Sequence, residues 1–232
     1  MTGQTVSIPG PDGTFGAYLA APANGHGPAL VLLQEIFGVN AVMRELADDY
    51  AAQGFFALVP DLFWRLQPGI ELSDKSEAEW QAAFGYMQRF DAAQGIRDVQ
   101  TAITYLRTLA GVSGKVGAVG YCLGGFLAYL TAVRTDVDAS TGYYGMNIQK
   151  YLTEGPNLKK PLMLHVAEKD EYNNPHAQKS VRDFFADSPL VTIHHYPEMN
   201  HAFARPGGAH YDEANAMLAN GRTIAFFRQH LG

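Results

Sequence analysis

The chain has 232 residues, 47% of them hydrophobic and 17% charged, and 17 Lys+Arg against 23 Asp+Glu give a formal net charge of −6. That composition excludes a disordered chain, and an acidic balance with no basic run argues against nucleic acid and anionic membrane as partners. One cysteine excludes an intramolecular disulfide and every C-x-x-C zinc or redox motif.

The opening Met1-Thr-Gly-Gln-Thr5 lacks the basic region and apolar run of a secretory signal, and no apolar stretch is long enough to span a bilayer. The expectation is one domain over residues 1–232, cytoplasmic and monomeric. No ligand cluster has metal spacing, so neither a metal nor a cofactor is expected.

Thr5–Ile8 and Phe15–Ala20 read as strands joined by the turn Gly10-Pro-Asp-Gly13, an antiparallel pair at a sheet edge. Ala29–Leu33 is a continuous apolar run, as in a strand buried on both faces. Asn40 caps a helix that carries Met43, Leu46, Ala47 and Tyr50 at helical spacing, and Gly54 ends it. Phe55–Val59 is the next buried strand. Residues 61–90 read as a loop leading to a helix near 76–89. Ile96, Val99, Ile103, Leu106 and Leu109 form a helical stripe. Strands follow at Lys115–Val119, Ala139–Tyr144, Leu162–Val166 and Leu190–Tyr196. Helices are predicted at Phe126–Val133, His176–Ala186 and roughly 210–230. This alternation gives an α/β fold with a mostly parallel sheet of about eight strands flanked by helices.

The hexamer Gly120-Tyr-Cys-Leu-Gly-Gly125 lies between a predicted strand and a predicted helix. That is the context of a nucleophile elbow, G-x-Nu-x-G, with cysteine as the nucleophile. The turn is sharp, so bulk two positions either side of Cys122 would clash, and Gly120 and Gly124 relieve it. The following helix start favours a thiolate and a developing oxyanion, and the Leu123 N–H is one oxyanion donor. The bland alternative is a buried structural thiol.

An elbow predicts its partners in the chain order nucleophile, acid, histidine. Leu162–Val166 is followed by Ala-Glu-Lys-Asp170, and Val191–Tyr196 by Pro-Glu-Met-Asn-His201. Both sit at strand ends. His201 can take the thiol proton and return it to a leaving group, and Asp170 can fix its tautomer. His165, His194 and His195 fall inside strands. His26, His176, His210 and His230 lack the strand-end context. Glu168 and Glu171 compete with Asp170, and a loop aspartate is often just a cap.

Gln34-Glu-Ile-Phe-Gly-Val-Asn40 follows the buried strand Ala29–Leu33. In elbow enzymes that loop supplies the second oxyanion N–H, here that of Ile36. Glu35 would then lie near Cys122. It either holds the resting thiol protonated or accepts its proton; the bland alternative is a solvated loop glutamate. Arg205 can bind a substrate carboxylate as a fork. Phe37, Phe63, Trp64, Trp80, Phe84, Tyr86, Tyr143 and Tyr144 either line an apolar pocket or form plain core.

Gln34-Glu-Ile-Phe-Gly-Val-Asn40, Gly120-Tyr-Cys-Leu-Gly-Gly125, Gly142-Tyr-Tyr-Gly145, His201-Ala-Phe-Ala-Arg205 and Pro60-Asp61-Leu62 together resemble the dienelactone hydrolase, or carboxymethylenebutenolidase, family over nearly the whole chain. The resemblance implies an α/β-hydrolase fold without a large lid domain. It also implies a Cys122–His201–Asp170 triad, Glu35 acting on the resting thiol, and an oxyanion hole from Ile36 and Leu123. Phe37, Trp80, Tyr144 and Arg205 are the expected substrate contacts. The implied substrate is a small unsaturated lactone carrying a carboxylate, from chlorinated-aromatic breakdown. The sequence departs from that pattern at Trp80, where an arginine is expected. Phe63 and Phe84 stand in place of tyrosines, and Ala202 in place of serine. A less anionic ester or lactone is therefore the alternative substrate. A non-catalytic binding or redox-sensing protein on this fold is the rival outside enzymes.

Overall fold

Continuous apolar runs, bounded by capping residues and glycines, set the elements of the chain. The computed structural model describes residues 3–232, and the N-terminal reading above also covers Met1 and Thr2, which lie outside the described residues. Two compact units emerge, Met1–Gly117 and Ala118–Gly232, and each is described by itself.

In the first unit, β1 (Gln4–Gly10) and β2 (Gly13–Ala20) form an antiparallel hairpin with Gly10 opposite Gly13. β2 pairs antiparallel with β4 (Phe56–Pro60), which pairs parallel with β3 (Gly27–Leu33). Leu30, Val31, Leu32 and Leu33 are wholly buried. Full burial stabilises such a side chain by roughly 1.5–3 kcal/mol. Over them pack α1 (Ala41–Ala52) and α3 (Ala92–Thr108), each presenting the predicted stripe. Asn40 accepts the Met43 N–H at 3.1 Å as the N-cap of α1, which satisfies one orphan donor of the first turn.

The segment after β4 buries Leu62, Phe63 and Ile70 and is also held by polar staples. Asp61 accepts the N–H groups of Phe63 (3.0 Å) and Gly69 (2.8 Å). Asp98 of α3, itself buried, accepts from Trp64 Nε1 at 2.9 Å and pairs with Arg65 at 2.7 Å. Then α2 (Glu77–Arg89) begins at the N-cap Ser76, whose Oγ accepts the Glu79 N–H at 3.3 Å.

β5 (Val112–Tyr121) runs through the division at residue 117; its first four residues are partly or fully exposed and its last six buried. In the second unit, β6 (Ala139–Tyr143), β7 (Leu162–Ala167) and β8 (Val191–Tyr196) pair in parallel register. α4 (Leu123–Arg134) is buried on nearly every side, as a helix apolar all round must be. α5 (Pro175–Phe184) and α6 (Glu213–Leu231) complete the unit. A 3₁₀ stretch at Ile148–Asn157 was not anticipated. It is only ten residues long and carries Gly155-Pro156 near its end, a pair that reads as a turn in sequence.

Candidate active site

Cys122 sits at the C-terminal end of β5, and α4 begins at the next residue. Its backbone is at φ 56, ψ −113, a strained conformation for a residue with a side chain that costs on the order of 1–3 kcal/mol and must be held from outside. The surrounding glycines let the chain do so. A Cβ on Gly120 would overlap the Gly124 carbonyl oxygen, and one on Gly125 the Tyr143 carbonyl. A Cβ on Gly142 would come to 2.7 Å from the Gly125 oxygen, so Gly125 and the end of β6 pack backbone on backbone. The Cys122 N–H donates to the Tyr143 carbonyl at 3.1 Å. Cys122 and Leu123 are each 7% exposed. At the first turn of α4 the Leu123 N–H is among the donors that a helix cannot satisfy internally.

Asp170 and His201 lie beyond the C-terminal ends of β7 and β8. Both are 5% exposed. His201 Nδ1–H donates to Asp170 Oδ2 at 2.9 Å, and Asp170 Oδ1 accepts the Tyr172 N–H at 2.9 Å. The carboxylate is thus fixed at both oxygens, which sets the tautomer of the ring. Among the described residues, His201 Nε2 has no hydrogen-bond partner, while Cys122 acts electrostatically on the ring. Burial disfavours the imidazolium most strongly. Cys122 and the hydrogen-bonded Asp170 carboxylate together outweigh it and raise the His201 pKa to about 10.

Aromatic rings wall the pair. Tyr144, at φ 39, sets its ring 5.1 Å from His201, and Tyr172 meets His201 edge-on at 5.0 Å and 81°. Tyr172 is 44% exposed. Its phenol pKa is raised by burial first and then by Glu171, Cys122 and Asp170, while Arg205 opposes them. Its hydroxyl therefore lies in the fields of both the thiol and Arg205. Tyr172 was not singled out in the sequence; its signal was its place two residues after Asp170. Ala202, where serine was expected, takes φ 62.

The remaining sequence candidates lie in the first unit. Glu35, Ile36 and Phe37 are buried at 2–3% exposure, which rules out the solvated-loop reading of Glu35. Their loop is pinned to the segment after β4. Gln34 Oε1 accepts the Leu62 N–H at 3.0 Å, and the Phe37 carbonyl accepts the Leu72 N–H at 2.9 Å. Gly38 at φ 77 lies against the Ile70 carbonyl, where no Cβ fits. Trp80 stands edge-on to Phe37 at 5.1 Å, stacks on Phe84 at 5.5 Å, and donates Nε1–H to the Asp74 carbonyl at 3.2 Å. Of the other aromatics, Phe63 and Tyr143 are wholly buried core.

The structure therefore gathers Cys122, Leu123, Asp170, His201, Tyr144 and Arg205 within the second unit. It gathers Glu35, Ile36, Phe37 and Trp80 within the first. A buried thiol beside an oriented imidazole at a helix start can perform nucleophilic acyl transfer.

Comparison with known proteins points the same way. The model of the dienelactone hydrolase family matches residues 15–231. A carboxymethylenebutenolidase of Pseudomonas putida is 40% identical over 97% of this chain and 96% of its own. Carboxymethylenebutenolidase 1 of Cupriavidus pinatubonensis is 38% identical over 91% and 90%. A Klebsiella pneumoniae protein solved as a candidate dienelactone hydrolase superposes with a TM-score of 0.88 at 25% identity, covering 98% of each chain. A family match over almost the whole sequence, with near-full-length relatives well above 30% identity, makes this chain a member of the dienelactone hydrolase family, hydrolases of α/β-hydrolase fold.

Proposed function

We propose that the protein opens small lactones or enol esters through a Cys122 thioester. The observation that carries this reading is the buried His201–Asp170 pair beside the Cys122 elbow, with the imidazole held at Nδ1 by Asp170 at 2.9 Å and Cys122 among the groups that raise its pKa. The Cys122 thiol proton passes to His201 Nε2, and the sulfur attacks the carbonyl carbon. The carbonyl oxygen takes the negative charge and the Leu123 N–H stabilises it, with the Ile36 N–H assigned as a second donor on the family resemblance alone. Collapse breaks the ring C–O bond and releases an enolate, which takes the proton from His201. Water then loses a proton to His201 and attacks the thioester, and thiolate departs. An enolate is a good leaving group, which suits a sulfur nucleophile, because a thiolate is itself easily expelled from the tetrahedral intermediate.

Glu35 is assigned to the resting thiol on the sequence and family resemblance, and its burial fits a carboxylate with a task. Arg205 and Tyr144 are assigned to substrate binding in the second unit, Phe37 and Trp80 in the first. The Phe37–Trp80–Phe84 set is aromatic where the family resemblance leads one to expect an arginine. Loss of one charged contact in a buried site can cost about a hundredfold in affinity. The substrate is accordingly proposed to be less anionic than dienelactone. The protein is proposed to act as a cytoplasmic monomer with no metal or cofactor.

The test is ultraviolet-monitored opening of dienelactone beside hydrolysis of the uncharged ester phenyl acetate, by wild type and Cys122→Ala. Phenyl acetate turnover that exceeds dienelactone turnover in kcat/KM, and that vanishes in the variant, is the expected result. Efficient dienelactone opening would overturn the less-anionic assignment. Turnover surviving in Cys122→Ala would overturn the nucleophile.

A further inference from the structure

Asn200 immediately precedes His201. Its side-chain oxygen accepts two backbone N–H groups, that of His201 at 2.7 Å and that of Glu171 at 3.1 Å. One atom therefore ties the loop that carries Asp170 to the loop that carries His201. Two backbone bonds run between the same loops, Glu168 N–H to the Tyr196 carbonyl at 3.1 Å and Lys169 N–H to the Met199 carbonyl at 2.9 Å. Neither reaches His201 itself.

The other side of His201 is held by His210, whose Nδ1–H donates to the His201 carbonyl at 3.1 Å. Asn200 Nδ2 lies 3.5 Å from His210 Nε2, the longest of these contacts. The Nδ1–H tautomer of His210 serves both. The N–H and the carbonyl of His201 are thus each bound by a side chain, from residues with no place in the acyl-transfer chemistry.

An independent feature shows why such a hold is needed. The next residue, Ala202, sits at φ 62 without being glycine. Left-handed backbone at a side-chain-bearing residue persists only where neighbouring interactions over-determine it. The Asp212 N–H to Phe203 carbonyl bond at 2.9 Å holds the far side of that strained link, and Asn200 with His210 hold the near side.

We propose that Asn200 and His210 form a clamp on the His201 backbone, and that Asn200 is a positioning residue which sets the imidazole between Asp170 and Cys122. The clamp acts through His201 and touches no substrate. Its effect on turnover rests on the hydrolase reading above.

The experiment uses the full chain as wild type, Asn200→Ala, Asn200→Asp and His210→Ala. It measures kcat and KM with phenyl acetate and the thermal midpoint. It also follows the His201 Nδ1 proton in the imidazole ¹H–¹⁵N spectrum, assigned by its disappearance in His201→Gln. Asn200→Ala is expected to lower kcat on the order of tenfold to hundredfold with KM changed less than about threefold, and to broaden the Nδ1 proton beyond detection. Asn200→Asp keeps an oxygen for both N–H groups and is expected to restore the proton and bring kcat within about threefold of wild type. His210→Ala is expected to lower kcat in the same direction by less. An unchanged Nδ1 proton in Asn200→Ala overturns the clamp, and so does a kcat loss that Asn200→Asp leaves in place. If wild type hydrolyses no ester, the hydrolase reading fails, while the Nδ1 proton still decides the clamp.

Discussion

Two histidines of the second unit are withdrawn from solvent, His165 at 1% exposure and His201 at 5%. They lie in different surroundings. His165 belongs to a core network beneath the strand ends. Arg222 donates to the Tyr196 hydroxyl (3.1 Å), Tyr196 to His165 Nδ1 (2.8 Å), His165 Nε2–H to Thr223 (2.9 Å), Thr223 to Tyr143 (2.6 Å), and Tyr143 to Asn220 (3.0 Å). Every donor in this chain finds an acceptor only if His165 is neutral. Burial first, and then His194 and Arg222, hold its pKa well below the ordinary range. His201 is buried as well, yet Cys122 and Asp170 raise its pKa. Depth alone does not decide the charge of a buried imidazole; the sign of its nearest neighbours does.

The sharpest way to break this comparison is to remove each ring in turn. His201→Gln is expected to abolish ester turnover by on the order of a thousandfold or more. His165→Gln is expected to leave kcat within about fivefold, because the side-chain bonds of the core network include none to Cys122, Asp170 or His201. Steady-state kinetics on both variants decides it, and equal losses would dissolve the distinction.

A smaller effect sharpens the comparison in pH. His165 takes no proton in the fold but does so in the unfolded chain below about pH 6.5. Its contribution to stability is therefore complete above that pH and drains as pH falls towards its lowered folded value, by up to about 1.4 kcal/mol per pH unit. His201 runs the other way: its raised pKa stabilises the fold below about pH 6.5, and that contribution is lost as pH rises through about 10. Urea unfolding from pH 5 to 10 should show wild type losing more stability than His165→Gln on acidification, and more than His201→Gln on alkalinisation.

The smallest expected effect concerns the wall of the site. Tyr172→Ala removes the edge-on ring from His201 and is expected to cost about 1 kcal/mol in kcat/KM, or roughly fivefold. Tyr172→Phe keeps the ring and isolates the hydroxyl that lies in the field of Arg205. A loss in Phe equal to that in Ala would assign the role to the hydroxyl rather than the ring.

Much of this was legible in the residues. Apolar runs such as Leu30–Leu33 marked strands, Asn40 marked a helix start, and strand-end position singled out Asp170 and His201 among 23 acidic residues and 8 histidines that residue type alone does not distinguish. What stayed hidden follows from the physics of each case. β5 begins at Val112, before the run that betrayed it, because Ser113-Gly114-Lys115 is exposed and carries no apolar signal. The 3₁₀ stretch Ile148–Asn157 is short and carries Gly155-Pro156, which reads as a turn rather than a helix. Asn200, His210 and Tyr172 act through bonds and ring contacts between loops that meet only after folding, and their identity alone looks like ordinary loop chemistry.

Cys122 is the only sulfhydryl in the chain. A peroxide that converted it to sulfenic acid would find no resolving cysteine in the same molecule, so rescue must come from an external thiol or a backbone nitrogen before further, irreversible oxidation. The same solitude makes the protein self-calibrating. One equivalent of a thiol-specific reagent consumed by the native protein, and none by Cys122→Ala, counts its nucleophiles directly, with no other side chain of that kind to confuse the titration.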